Sequence, residues 1–207
     1  MAKSSRVLLV EEQPATRAGL ILAIRGALPD AAIVPASSGP EGRTLLADQA
    51  FDLALFDFSI SGGGGLAGLL DLLEVAGDTP VLVVCARCNT LVVSIVRGLD
   101  IAGVVGKADP LDTISAAIRQ VMGGASIFPE TAPPERGAAA APISFSRAQL
   151  RVLTALGTGQ LNKQIAGDLG VTEATIKAHL SAIFRKLGVT NRTQALLRAR
   201  SLFPESA

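Results

Sequence analysis

The sequence predicts a doubly wound α/β domain followed by a smaller helical domain. Three observations carry this reading. Short apolar runs recur at nearly regular spacing through the first half of the chain. Segments of helical period separate those runs. Beyond a stretch rich in Pro and Ala, the charge changes sign and the pattern becomes wholly helical.

The apolar runs are Val7–Val10, Ala32–Pro35, Leu53–Phe56, Val81–Val84 and Ile101–Val105. Each is too short for a helix and several are rich in Val or Ile, so they read as strands buried on both faces of a parallel sheet. Ala18, Ile21, Leu22 and Leu28 share a helix face after Pro14, a residue tolerated in a first turn. Leu66, Leu69, Leu70 and Leu73 form another face, and Leu91, Ile95, Val96 and Leu99 a third. Ile114, Ile118 and Val121 follow Pro110. Strands alternating with helices imply a doubly wound sheet, in which sites form at the carboxyl ends of the strands.

Residues 124–142 offer no strand or helix period and read as a linker between a domain over 5–123 and one over 143–207. Residues 1–142 hold 10 Lys/Arg and 15 Asp/Glu, a net of −5, and residues 143–207 hold 9 and 3, a net of +6, which together give the +1 of the whole chain. The near-neutral total thus hides a basic half whose natural partner is an anion, nucleic acid first. Opposite charges also permit a closed state in which the acidic half screens the basic one. A hydrophobic fraction of 49% rules out a disordered chain. No apolar stretch is long enough to span a membrane, and Val7–Val10 is cut off by Glu11-Glu12, unlike a signal-peptide core. A cytoplasmic protein without a membrane partner is expected, and two cysteines make no disulfide framework.

The strand ends carry the chemistry. Glu11-Glu12 follow the first strand, Asp57 ends the third, Cys85 the fourth and Lys107 the fifth. Converging carboxylates suit Mg²⁺, which takes hard oxygen ligands, and a lysine beside them suits a phosphoryl group. Ion pairing at a sheet edge is the plainer reading of any one of these residues, but not of all of them together. Cys85-Ala86-Arg87-Cys88 could be a redox pair or half of a zinc site, with Arg87 lowering a thiol pKa. Zinc would need two more ligands, and the one histidine, His179, lies in the other domain.

Val-Glu-Glu-Gln-Pro (10–14), Phe-Asp-Leu-Ala-Leu-Phe-Asp (51–57) and Gly-Val-Val-Gly-Lys (103–107) resemble the receiver domain of two-component response regulators, a flavodoxin-like fold. The resemblance implies that Asp57 accepts a phosphoryl group from a histidine kinase. It implies that Glu11, Glu12 and Asp57, with the carbonyl of Ser59, hold Mg²⁺, and that Lys107 pairs with the phosphoryl oxygens. Four departures stand out. Glu12 replaces the usual Asp and pushes its carboxylate out by one methylene, which weakens the Mg²⁺ site. Cys85 replaces a Thr or Ser whose hydroxyl bonds the phosphoryl group, a second weakening. Val104 replaces the switch aromatic. Ser61-Gly62-Gly63-Gly64-Gly65 replaces the usual loop after the acceptor and should be mobile. These departures motivate an alternative, a degenerate pseudo-receiver that works without phosphorylation through dimerisation, ligand or redox control.

In the second half, Ser146 is a candidate N-cap for a helix with Leu150, Val152, Leu153 and Leu156 on one face. Asn162 is a candidate cap for the next, ended by Gly170. Thr172 caps a third, in which Ile176, Leu180, Ile183 and Leu187 form one core stripe and Lys177, Ala178, Ser181, Arg185 and Lys186 lie off it. Two short helices joined by a Gly turn, the second basic outside, fit a helix-turn-helix. Lys177 would reach a base edge or phosphate and Ala178 a thymine methyl. Asn162, Lys163, Thr175, Arg185, Lys186 and Arg192 would reach phosphates.

Asn-Lys-Gln-Ile-Ala (162–166), Val-Thr-Glu-Ala-Thr-Ile-Lys-Ala-His (171–179), Ile-Phe-Arg-Lys-Leu-Gly-Val (183–189) and Asn-Arg-Thr-Gln-Ala (191–195) resemble the four-helix LuxR-type DNA-binding domain. Receiver, linker and LuxR-type domain in this order resemble the NarL/FixJ response regulators. The resemblance implies a transcription regulator that binds double-stranded DNA as a homodimer through its last helix, Thr193–Leu202. It implies a cognate kinase and RNA polymerase as further partners, with Gln149 standing where the family usually has Glu. An enzyme is not expected: a haloacid-dehalogenase-like phosphatase would need a second Asp two residues after Asp57, where Ser59 stands. A protein-only adaptor is the remaining reading, and a salt-dependent gel shift separates it from a DNA binder.

Overall fold

The computed structural model describes residues 4–61, 63–86, 88–129 and 143–203. Five parallel strands, β1 (Arg6–Val10), β2 (Ala32–Ala36), β3 (Leu53–Asp57), β4 (Val81–Cys85) and β5 (Gly103–Gly106), lie in the order β2-β1-β3-β4-β5. Five helices alternate with them: α1 (Pro14–Ala27), α2 (Gly39–Asp48), α3 (Gly65–Leu73), α4 (Thr90–Val96) and α5 (Leu111–Met122). Strand side chains alternate between two cores, as a period of two requires. Val7 and Leu9 pack with Leu20, Ile24, Ile114 and Ile118 of α1 and α5. Leu8 and Val10 pack with Leu46, Leu66, Leu69 and Val92 of the opposite layer. α2 has little apolar surface of its own, and its start is fixed instead by Ser38, whose side chain accepts the Glu41 N–H.

The expected linker begins later than 124. Ile127 pairs with β5, donating to the Ala102 carbonyl at 2.9 Å and accepting from Val104 N–H at 2.8 Å. The Arg97 guanidinium lies over the Phe128 ring at 4.8 Å. The free edge of β5 offers unpaired backbone groups, and this return strip satisfies them, which composition alone does not reveal. The rest of that stretch, 130–142, lies outside the described residues.

The C-terminal domain is built from α6 (Arg147–Gly157), α7 (Asn162–Asp168), α8 (Glu173–Leu187) and α9 (Arg192–Arg198), closed by a 3-10 turn at Arg200–Leu202. Leu150, Leu153, Leu156, Ile165, Ile176, Leu180, Ile183 and Leu187 are its buried core. α8 stops where Gly188 turns left-handed at φ +67°, a conformation that disfavours any side chain. This domain rests on the α3–α4 side of the sheet domain. Arg151 pairs with Glu74, Ile143 N–H donates to Ser94 Oγ at 3.1 Å, and the 3-10 turn packs on α3 and α4.

Candidate functional site

β1 and β3 are neighbours at the point where the strand order reverses, so Glu11 and Asp57 emerge side by side. Asp57 is 1% exposed and Glu11 fully buried. Asp57 Oδ1 accepts the Ser59 N–H at 2.8 Å, and Oδ2 accepts from Lys107 Nζ at 2.7 Å. The same ammonium stands 2.9 Å from Glu11 Oε2, while Glu11 Oε1 accepts the Gln13 N–H at 2.8 Å. One cation thus serves two buried carboxylates. Burial pushes the Asp57 carboxyl above its ordinary range, with the Glu11 charge adding to it, despite the opposing pull of Lys107 and the Ser59 amide. Burial pulls the Lys107 ammonium down, but its bonds to Asp57 and Glu11 outweigh that and hold it above the usual lysine range.

Glu12 points elsewhere. Its Oε2 accepts from the Ser61 hydroxyl at 2.5 Å and its Oε1 from the Ser61 N–H at 3.1 Å, and those bonds lower its pKa. The extra methylene lets this carboxylate reach across to the loop after β3 instead of stopping beside Asp57. Among the described residues no three acid, His or Cys side chains gather closely enough to hold a metal ion. The donor set fits Mg²⁺ in kind, since Glu11, Glu12 and Asp57 are hard oxygen ligands at one sheet edge. In this state two acids converge and the third is held on Ser61.

Other expectations resolve as follows. Cys85 is buried at the end of β4, and its carbonyl accepts the Lys107 N–H at 2.9 Å. Val104 is buried within β5, and its N–H donates to the Ile127 carbonyl at 2.8 Å. In the Ser61–Gly65 loop Gly62 lies outside the described residues, and the residues on either side of it make close contacts. A Cβ at Gly64 would run into the Ile60 carbonyl, and Ser61 is tied to Glu12. Arg87 also lies outside the described residues. The Cys88 thiol is raised well above its ordinary range, first by the neighbouring Cys85 side chain and then by burial, and its Sγ donates to the Cys85 and Val105 carbonyls.

Sequence reasoning missed Arg17. Its guanidinium donates to the Glu11 carbonyl at 2.9 and 2.6 Å and to Ser37 Oγ at 3.1 Å, and so clamps the loop carrying both glutamates. Its place in the first turn of α1, one turn past the acidic pair, was the available signal.

In the C-terminal domain Ser146 and Gln149 cap α6 reciprocally. Thr172 caps α8 by accepting the Thr175 N–H at 3.2 Å. The expected cap of α7 is one residue off: Leu161 is the cap, its N–H donated to Gln164 Oε1 at 2.7 Å, and Asn162 is the first helical residue. Lys163, Thr172, Lys177, Ala178, Ser181 and Arg185 are exposed on the α7–α8 side, with Asn162, Thr175 and His179 half-buried among them. Two expected phosphate ligands are already occupied. Lys186 Nζ donates to the Ser144 carbonyl at 2.6 Å and Gln149 Oε1 at 2.7 Å and sits over the Phe145 ring. Arg192 donates to the carbonyls of Leu156 and Gln160. These cations close gaps between segments of the domain. The closed state expected from net charge also takes another form: the sheet domain covers α6 and the 3-10 turn and leaves the outer face of α8 open. The exposed pair Glu74–Arg151 lies at this contact.

Residues 143–199 match the family model of bacterial regulatory proteins of the luxR family. Over 94% of both chains, the sequence is 31% identical to the glycerol metabolism activator of Pseudomonas putida. The chain belongs to the NarL/FixJ family of response regulators. It is a DNA-binding transcriptional regulator of the two-component type, with its receiver in the acidic half and its LuxR-type domain in the basic half. The response regulator is also 28% identical to the nitrate/nitrite response regulator NarL of Escherichia coli, over 91% of this chain and 92% of that one. Its fold is similar to that of RcsB from Salmonella enterica serovar Typhimurium bound to a promoter, at a TM-score of 0.67 and 19% identity, covering 96% and 100% of the two chains. Among the described residues no helix is long and apolar enough to cross a membrane.

Proposed function

We propose that this response regulator is switched by phosphoryl transfer from a histidine kinase to Asp57, and that the switch governs dimeric binding of the basic domain to duplex DNA. The observation that carries this reading is the Lys107 ammonium 2.7 Å from Asp57 Oδ2 at the sheet edge. The Asp57 carboxylate attacks phosphorus, the P–N bond to the donor imidazole breaks, and the electron pair returns to that ring. Lys107 pulls the Asp57 carboxyl down against the burial that raises it and then faces the new phosphoryl oxygens. Glu11, Glu12, Asp57 and the Ser59 carbonyl would hold Mg²⁺, which when bound neutralises phosphoryl charge. Arg17 positions the two glutamates.

On DNA, Lys177 and Ala178 face base edges, and Asn162, Lys163, Thr172, Thr175, Ser181 and Arg185 face the backbone. Lys186 and Arg192 brace the domain from within. Leu197, 70% exposed on α9, supports pairing with a second copy. A cytoplasmic setting, a cognate kinase and RNA polymerase as a promoter partner belong to the same reading. The test is incubation with acetyl phosphate and Mg²⁺ followed by intact mass and a salt-dependent gel shift. A stoichiometric phosphoryl adduct that is absent in Asp57→Ala, with tighter DNA binding, is expected. No adduct would favour the phosphate-independent receiver.

A further inference from the structure

A cavity of about 240 Å³ lies between the two domains, away from both the strand-end carboxylates and the outer face of α8. Leu70 and Leu73 at the end of α3, with Leu99 just after α4, line it from the receiver. Phe145, just before α6, lines it from the LuxR-type domain. Neighbouring contacts brace these walls. Glu74 pairs with Arg151 at the cavity, and Ile143 N–H donates to Ser94 Oγ. The Lys186 ammonium stands 5.2 Å from the centre of the Phe145 ring. The cavity is therefore built into the domain boundary, where small-ligand sites concentrate.

Its charges are balanced in number but not in pairing. Two acids, Glu74 and Asp100, and two bases, Arg147 and Arg151, line it. Glu74 and Arg151 neutralise each other. Asp100 of the receiver and Arg147 of α6 are exposed, and neither side chain makes an ion pair among the described residues. One unpaired acid and one unpaired base thus line the same cavity from opposite domains. A simple anion would meet Asp100, and a simple cation would meet Arg147. A molecule that carries both charges satisfies both groups. Arg147 is also the first residue of α6, whose positive end favours a carboxylate. The volume is that of about eight water molecules. It falls below the roughly 300 Å³ at which pockets for drug-sized ligands begin.

We infer that this cavity binds a free α-amino acid with a mid-sized apolar side chain, held by Asp100 on one domain and Arg147 on the other. The Asp100 carboxylate accepts from the ligand ammonium, and the Arg147 guanidinium donates to the ligand carboxylate. The apolar side chain rests on Leu70, Leu73, Leu99 and Phe145 and releases the water that covers them. The ligand bridges receiver and LuxR-type domain, because each domain supplies one of the two charges that it needs.

The experiment titrates L-leucine into the full-length protein by calorimetry, without phosphoryl donor or DNA. A dissociation constant of about 1 mM or tighter is expected. Asp100→Asn and Arg147→Gln should each weaken leucine binding by about tenfold or more. Two analogues assign the contacts. 4-Methylpentanoate lacks the ammonium and should bind Asp100→Asn no more weakly than the parent. 3-Methylbutylamine lacks the carboxylate and should bind Arg147→Gln no more weakly than the parent. No leucine binding up to about 10 mM would overturn the proposal. Loss of affinity in only one of the two variants would overturn it equally, because the ligand would then not bridge the domains. So would 4-methylpentanoate or the amine binding the parent as tightly as leucine does. Both positions are exposed, so the thermal melts of the variants should match the parent, and Asp100→Ser and Arg147→Met replace any that does not. Binding is read without Asp57 chemistry or DNA, so failure here and failure of the phosphoryl switch are told apart.

Discussion

At the strand ends, Asp57 and Glu11 are sealed from solvent and share one ammonium. On α8, Lys177 and Arg185 stand in solvent and make no ion pair among the described residues. The first arrangement is compensated internally, so any added charge must rearrange it. The second is left uncompensated, ready for an external polyanion. Charge in the core is matched within the fold, and charge on the helix face is left for a partner. The largest test of this contrast is Lys107→Met. Removing the shared cation leaves two buried carboxylates unpaired and should cost about 3–5 kcal/mol in urea unfolding at neutral pH. Burial already holds the Asp57 carboxyl above its ordinary range. Its contribution is full below the ordinary carboxylate range and fades as pH rises through the raised value. The gap between variant and parent should accordingly narrow on acidification. A variant as stable as the parent at neutral pH would break the comparison.

Lys177→Ala tests the other side. Loss of a groove-facing cation should weaken DNA binding by about 1–3 kcal/mol. Stability should change by less than about 0.5 kcal/mol, because the side chain is exposed. Gel shifts at several salt concentrations, set beside thermal melts, measure both quantities. A loss of stability comparable to the loss of binding would mean that Lys177, like Lys186, braces the domain.

That contrast between Lys177 and Lys186 marks the limit of what was legible. The sheet could be read from the sequence because each strand is a nearly unbroken apolar run buried on both faces. The strand-end residues could be read because the topology brings them to one edge whatever their rotamers. The fate of a long side chain could not. Lys186, Arg192 and Lys177 are all basic residues off a core stripe, and only the neighbouring loop decides that two of them meet carbonyls. Glu12 bonds Ser61 across 49 positions of sequence, a pairing set by loop packing rather than by any local pattern. The start of α7 shifted by one because Gln164 reaches back to Leu161, a cap made by the third helical residue and not by the first.

A smaller effect is expected at the cap of α6. Ser146→Ala removes one arm of the capping box and should lower the stability of the LuxR-type domain by about 1 kcal/mol. Gln149 is also a ligand of Lys186, so Gln149→Ala should exceed Ser146→Ala in cost. Equal losses in chemical denaturation would mean that the Lys186 brace adds nothing.

The smallest effect separates the two kinds of charge within the receiver itself. Glu12 sits at the edge of the same site as Glu11, but it is solvated and is held by Ser61 rather than by Lys107. The bonds from Ser61 lower its pKa. Its stabilising contribution is therefore present above the ordinary carboxylate range and is lost as pH falls through the lowered value. Ser61→Ala removes the hydroxyl and keeps the amide. The Glu12 carboxyl should move back toward its ordinary value in a carbon-detected NMR titration, with little change in the neutral-pH melt. The freed carboxylate is then available beside Asp57, and Mg²⁺ titrated into the variant should bind more tightly than into the parent. If Ser61→Ala leaves the Glu12 titration where it was, the hydroxyl is not what holds this residue away from the site. The contrast between a buried shared pair and a solvated latch would then have to be drawn from the backbone of the loop instead.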